Sequence, residues 1–219
     1  MEGQKNVMEL LDSKYSVESL YVKKGEIFSC TDSIPIQEID QTTLETISTL
    51  KSPQPVLAVA KMQDGAAEFA LKSKISFALV DLQDPGNLGT IIRIADWFGI
   101  DQVILSKNTV EQYNPKVVQA SMGSLFRVPI FRTSIDKIIA QAKTDELTCM
   151  AADVEGKSLK GAKAPAEGVV FIGNESQGIP NEVMMKMNEV ISISGSGKAE
   201  SLNAAVAAGV IAAWLKGAV

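Results

Sequence analysis

The sequence predicts an α/β protein: a mostly parallel sheet with helices on both faces, preceded by a small α/β domain. Three observations carry this. From Ile75 onward, short strand-like runs alternate with helical patterns, the signature of a parallel sheet. Each run is apolar along its length, as expected of strands covered on both faces. The polar, small-residue stretch from Lys61 to Ala67 separates two such runs and reads as a domain boundary.

Strands are expected at 56–62, 75–81, 102–105, 128–131, 148–152, 168–172 and 190–193. Helices are expected at 42–50, 88–98, 115–125, 135–142, 180–187 and 202–215. Residues 1–63 then form the small domain, punctuated by Pro35, Pro53 and Pro55. Residues 64–74 are expected to be a linker or short helix, and 75–219 the main domain. The chain contains no internal repeat and no low-complexity segment.

Composition narrows the chemistry. The 219 residues, 46% hydrophobic, suffice for one sizeable domain plus a smaller one. No apolar run reaches the ~18 residues of a membrane span, and no signal peptide opens the chain. Cys30 and Cys149 lie far apart without metal-ligand spacing, which points to reduced thiols in a cytoplasmic setting. The absence of histidine excludes Ser-His-Asp and Cys-His catalysis and most zinc sites, so no metal is expected. A net charge of −5 argues against non-specific nucleic-acid binding but permits a local basic patch. The only arginines are Arg93, Arg127 and Arg132, and arginine is the best planar partner for phosphate.

Three motifs place polar side chains beside glycines at the edge of apolar runs. In the first, Asn87-Leu88-Gly89-Thr90-Ile91-Ile92-Arg93, Asn87 is expected to cap a helix that follows a turn at 83–87. Gly89 leaves that helix open to a ligand, and Arg93 shares its face. The bland reading is that Arg93 pairs with Asp96 at i+3. The second motif, Gly173-Asn174-Glu175-Ser176-Gln177-Gly178, follows a strand and so lies where open α/β sheets bind ligands. Gly173 and Gly178 permit unusual dihedrals, and Glu175 is an acceptor. It could equally be an ordinary turn, with Pro180 opening a helix. In the third, Glu200-Ser201-Leu202-Asn203, Ser201 and Asn203 stand where helix N–H groups are unpaired and the dipole is positive. Ser201 could simply be the cap. The preceding Gly195-Ser196-Gly197-Lys198 lacks the spacing of a P-loop.

In this order the motifs resemble the SpoU (TrmH-type) RNA ribose methyltransferases of the SPOUT class. Val118–Ser124 adds that family's Ala-Ser-x-Gly helix, and the likeness spans about residues 75–219. The resemblance implies a C-terminal deep trefoil knot, which general topology rules would not suggest. It implies S-adenosylmethionine held by backbone near Gly173, Gly178, Ile193 and Leu202. It also implies a homodimer with the site near the subunit interface. Residues 1–63 are similar to the family's RNA substrate-binding domain. That domain usually opens with a basic segment and a strand before a Glu-Gly pair. The chain starts at Met1-Glu2-Gly3, so the domain is expected to be truncated there.

The reaction implied is methyl transfer to a ribose 2′-hydroxyl of RNA, ribosomal rather than transfer RNA. Arg93 is the catalytic residue by resemblance. A guanidinium is a poor base, so its expected role is to grip the adjacent phosphate and stabilise alkoxide charge. Asn87 would orient Arg93 and the hydroxyl, Ser201 and Asn203 would hold substrate or the cofactor carboxylate, and Glu175 would shape the cofactor loop. The rival readings are an RNA-binding protein without activity, and a methyltransferase acting on a small molecule or a protein.

Overall fold

The computed structural model describes residues 1–30, 34–63 and 68–219. Residues 64–67, which fall at the expected boundary, lie outside that set. Residues 68–74 carry neither helix nor strand, and Leu71 is buried against the main sheet.

The amino-terminal part contains α1 (Gln4–Leu11), β1 (Val17–Lys23), β2 (Ile36–Ile39), α2 (Gln41–Ile47) and β3 (Val56–Ala60). Its sheet has the order β2-β1-β3, parallel between β1 and β2 and antiparallel between β1 and β3. Val7, Leu10, Leu20, Val22 and Val56 close its core. Sequence reasoning missed α1, β1 and β2. In β1 the half-buried pattern is carried by Ser19 and Tyr21 as well as aliphatics, and β2 is mostly exposed, so neither shows a clean apolar run. Helix α2 stops short of expectation, because Ser48 turns extended at φ −71° and ψ 141°.

The main domain runs β4 (Ile75–Leu79), α3 (Pro85–Phe98), β5 (Gln102–Leu105), α4 (Pro115–Ser121), β6 (Ile130–Arg132), α5 (Ile135–Thr144), β7 (Cys149–Ser158), β8 (Gly168–Ile172), α6 (Asn181–Met184), β9 (Glu189–Ser192) and α7 (Ala204–Leu215). Six strands form one sheet in the order β6-β5-β4-β8-β7-β9, and every pairing is parallel. Side chains alternate between two cores. Phe77, Leu79, Val170 and Ile172 face α3 and α7, whereas Ala78, Val80, Val169 and Phe171 face α5 and α6. Strands β4 and β8 are buried on both faces, which is why they read as continuous apolar runs.

Several boundaries shift for local reasons. The helix expected at 115–125 ends at Ser121, since Met122 and Gly123 both turn left-handed (φ 51° and 88°) before a 3-10 turn at Ser124–Phe126. Val128 then bonds back to Ser124, which delays β6 to Ile130. Strand β7 extends to Ser158 by an irregularity after Ala152, so that Lys157 and Ser158 pair again with β9. Helix α6 is shorter than expected and β9 begins one residue earlier.

Candidate functional site

The carboxyl ends of β4, β8 and β9 gather the first and third motifs around the second. Asp84, not Asn87, caps α3: its side chain accepts the Asn87 N–H at 2.7 Å, and Pro85 occupies the first turn. The expected turn at 83–87 is therefore already helix from Pro85. A cap has to stand outside the helix, and a proline favours the first helical position. Asn87 is thus freed for side-chain work. Its Nδ2 donates to the Glu175 carboxylate and its Oδ1 accepts from Asn203 Nδ2 at 3.0 Å. Asn203 in turn caps α7, its Oδ1 accepting from Ala205 and Val206. A continuous relay, Glu175–Asn87–Asn203–α7, ties all three motifs together.

The second motif is shaped by a residue that sequence reasoning did not single out. Asn174 and Gly178 exchange backbone hydrogen bonds, at 3.2 and 2.9 Å. The Asn174 Oδ1 accepts from Ser176 and Gln177, and its Nδ2 donates to the Asp81 carbonyl at 2.9 Å. An asparagine that bonds the backbone two residues on is a recognised turn device, so Asn174 was legible in principle. Gly178 sits at φ 65°, and a Cβ at Gly173 would fall 2.4 Å from the Gly178 carbonyl carbon. Both glycines are therefore required by the turn itself. Asp81, at φ 51°, is fixed in the left-handed region by Ser106, whose hydroxyl donates to its carboxylate at 2.6 Å.

Beside this turn lies a crevice of about 890 Å³. Gly173, Glu175, Gly178, Ile193, Ser201 and Leu202 all line it. Leu159, Ile172, Ile191 and Ile211 supply apolar walls, and Asp153, Glu175 and Glu200 supply three carboxylates, with no lysine or arginine among the lining residues. Asn87 and Asn203 instead line a neighbouring apolar groove of about 540 Å³ between α3 and α7, with Ile94, Phe98, Val206 and Val210. Ser201 is exposed and caps nothing, because Asn203 holds that position.

Two of the three arginines are committed to structure. Arg127 bonds Asp96 at 2.8 Å and pairs with Glu9 of α1. Arg132 donates to the carbonyls of Ser106, Thr109 and Val110. Arg93 is exposed on α3, has no side-chain partner among the described residues, and lines neither hollow. The alternative reading, an Arg93–Asp96 pair, does not hold among the described residues, where Arg127 takes that carboxylate. Burial works to raise the Asp96 carboxyl, but hydrogen bonds from Arg127 and Ser124, with the Arg127 charge, hold it below the ordinary aspartate value. Gly89 does not open the helix to a ligand. A Cβ there would stand 2.6 Å from both the Ala120 side chain and the Val117 carbonyl, so its bareness serves the packing of α3 on α4.

A parallel sheet with a crevice outside its strand carboxyl ends, walled by apolar side chains and edged by glycine turns, defines an α/β protein built to hold a small nucleotide-like ligand. The comparisons give the family. Residues 74–213 match the SpoU rRNA Methylase family and residues 1–65 match the RNA 2'-O ribose methyltransferase substrate binding family. The chain belongs to the SpoU rRNA methylase family. It is 30% identical, over 99% of its length and 88% of the relative's, to the 23S rRNA (guanosine(2553)-2'-O)-methyltransferase RlmP of Bacillus subtilis. Among solved structures, a TrmH-family protein from Porphyromonas gingivalis is 31% identical with a TM-score of 0.88, covering 100% of this chain and 89% of that one. The AdoMet-bound rRNA methyltransferase from Sinorhizobium meliloti is 26% identical with a TM-score of 0.86, covering 100% and 87%.

Proposed function

We propose that the protein transfers a methyl group from S-adenosylmethionine to a ribose 2′-hydroxyl of RNA, with ribosomal RNA as substrate. The observation that carries this is the Glu175–Asn87–Asn203 relay at the lip of a carboxylate-lined crevice, in a chain of this family. The crevice suits the cofactor chemically. Its volume lies within the range of small-ligand sites, its apolar walls suit a purine ring, and carboxylates without a compensating lysine or arginine favour a cationic sulfonium. Gly173, Gly178, Ile193 and Leu202 would hold it, largely through backbone. When bound, it supplies the electrophilic methyl group.

The chain's own residues then position and neutralise. Arg93, with its guanidinium uncommitted, grips the phosphate next to the target ribose and stabilises negative charge developing on the 2′-oxygen. Asn87, fixed on both sides, orients the hydroxyl. Glu175 is the acceptor we assign for the hydroxyl proton, since its carboxylate is joined directly to Asn87. Asn203 holds Asn87 and the start of α7, and Ser201 offers a hydroxyl to the crevice.

The finer architecture belongs to the same reading. Residues 1–63 are assigned to RNA binding, 64–74 to a linker and 75–219 to catalysis. The segment from β8 through α7 is assigned the family's trefoil knot, supported by β9 lying at the sheet edge while α7 crosses back onto α3. The apolar groove of α3 and α7 is assigned to a homodimer interface. Leu202 and Ala204 line the crevice while Asn203 and Ala205 line the groove, so a second subunit seated there would lie beside the cofactor. Among the described residues no helix is long and apolar enough to cross a membrane, and action on ribosomal RNA would place the protein in the cytoplasm. Transfer of a labelled methyl group to ribosomal RNA, followed by nuclease mapping to one 2′-O-methyl nucleotide, tests the assignment. Absence of S-adenosylmethionine binding by calorimetry would overturn it.

A further inference from the structure

A separate hollow of about 580 Å³ opens where the amino-terminal part meets the main domain, away from the cofactor crevice. Its walls are aromatic and come from both sides. Tyr15 lies on the chain just before β1, Tyr113 on the loop after β5, and Phe126 on the 3-10 turn after α4. The Tyr15 ring stands edge-on to Phe126, with centroids 5.0 Å apart, and to Tyr113 at 6.3 Å. Its hydroxyl meets that of Tyr113 at 3.2 Å, which fixes both rings.

The second observation is Gln112. It lines this hollow and is only 9% exposed, yet its carboxamide has no hydrogen-bond partner among the described residues. The only buried side-chain polar atom left without a partner among the described residues is Asn6 Oδ1, so the Gln112 amide keeps contact with solvent and is free to pair with a ligand. Gln112 lines the hollow, and a carboxamide offers a donor and an acceptor side by side.

Charge narrows the ligand. Lys14 and Arg127 line the hollow, but so do Glu9 and Asp12, and Arg127 is already bound to Glu9 and Asp96. The lining therefore offers no net positive charge to a phosphate. It suits an uncharged planar ring with polar edges, stacked on aromatic side chains and read by an amide, which is how unstacked bases are recognised.

We propose that this hollow takes one unstacked nucleobase of the substrate RNA, from a nucleotide other than the one methylated. This rests on the reading of RNA as substrate. Arg127 on its wall bonds Asp96, which stands three residues from Arg93 on α3, so the two positions are neighbours on the helix surface. A base held there would bring the adjoining backbone towards Arg93 and fix its register.

Two variants test this. Tyr113→Ala removes a stacking wall. Gln112→Leu replaces the unpaired amide by an apolar group of similar size. Affinity is read by fluorescence anisotropy of a labelled, mixed-sequence single-stranded RNA, and separately as KM for methyl transfer to ribosomal RNA. Each variant should weaken RNA binding and raise KM about tenfold, the scale of one base stack, while kcat and S-adenosylmethionine affinity stay unchanged. Gln112→Leu should leave Tm nearly unchanged, because the amide makes no hydrogen bond among the described residues and its polar atoms reach solvent, so weaker RNA binding could not be blamed on unfolding. Unchanged RNA affinity in both variants would overturn the proposal. The anisotropy needs no methyl transfer: a wild type that binds RNA through this hollow without methylating it would sink only the catalytic reading. Free nucleoside monophosphates should compete in the anisotropy measurement, whereas ribose 5-phosphate should not. Equal competition by ribose 5-phosphate would show phosphate recognition and overturn the base assignment.

Discussion

Asn203 donates from Nδ2 to Asn87 Oδ1 at 3.0 Å while its own Oδ1 accepts the N–H groups of Ala205 and Val206. One side chain thereby caps α7 and holds a residue of α3, and the two roles separate by substitution. Asn203→Ala removes both and should cost about 1 kcal/mol, as lost caps do. Asn203→Asp keeps the cap, with a charge the helix dipole favours, but removes the donor to Asn87. Rotating the Asn87 amide to meet the new carboxylate would turn its oxygen onto Glu175, so one bond of the relay is lost either way. Methyl transfer by Asn203→Asp should therefore fall at least tenfold with Tm nearly unchanged. Parallel thermal melts and initial rates check this, and wild-type rates would remove Asn87 from the mechanism.

Arg93→Ala should leave stability within about 0.5 kcal/mol, since the side chain is exposed and makes no hydrogen bond or ion pair among the described residues. S-adenosylmethionine affinity should also persist, because Arg93 does not line the crevice. The rate should drop by about 100-fold or more, the scale of losing one group that stabilises developing charge. Arg93→Lys should recover little, since a point charge cannot make the bidentate grip of a guanidinium. Calorimetry and single-turnover rates separate binding from chemistry.

The two motif glycines should fail differently. A methyl group at Gly173 strikes the backbone of Gly178, and one at Gly89 strikes Ala120 and the Val117 carbonyl. Gly173→Ala should chiefly weaken cofactor affinity, measured by calorimetry, because the strained turn borders the crevice. Gly89→Ala should chiefly lower stability, by about 1–3 kcal/mol as overpacked interiors do, measured by urea unfolding. A Gly89→Ala protein of full stability would show that α4 yields to the added methyl.

This contrast also marks what the sequence could and could not reveal. Strands β4 and β8 were legible because burial on both faces leaves no polar interruption. The roles of Asn87 and Gly89 were misread because motif position does not say what a side chain meets. Asp84 three residues earlier took the cap, and α4, distant in sequence, took the glycine face. Arg93 stood out by scarcity alone, and only the tertiary contacts of Arg127 and Arg132 show which arginine is uncommitted. In the amino-terminal part, β1 and β2 lack a sustained apolar run and form through pairing with each other and with β3.

The Arg127–Asp96 contact gives a pH dependence whose sign is fixed. The Asp96 carboxyl is held below its ordinary value in the folded protein, so folding favours its ionised form. The contribution is complete above the unfolded value of about 4 and is lost as pH falls through the lower folded value. Glu2 adds in the same direction. Burial opposes its ionisation, but Ser48 and Thr49 together hold it below the ordinary glutamate value. Urea midpoints should stay level from pH 7 to about 5 and then decline. Asp96→Asn should be less stable at neutral pH and decline less steeply in acid. An equally steep decline in that variant would move the dependence to other groups.

The groove between α3 and α7 carries the last prediction. Val206 and Val210 remain 53% and 36% exposed and lie on one stripe of α7 with Ala213, facing Ile94 and Phe98 of α3. Aliphatic side chains left in water on an otherwise well-packed pair of helices are the usual sign of a missing partner surface. Gly209 on the same stripe would let a facing helix approach closely. Val206→Asp places a charge on that stripe, at its end in the first turn of α7. In a monomer the charge would be solvated and change stability little. In a dimer it would be buried without a partner, at a cost of several kcal/mol for each copy. Sedimentation should show the wild type as a dimer and Val206→Asp as a folded monomer. Because the groove adjoins the crevice through Asn203 and Leu202, the monomer should also bind S-adenosylmethionine more weakly. A wild type that sediments as a monomer with full activity would assign the stripe to another partner, and the site would then be complete within one chain.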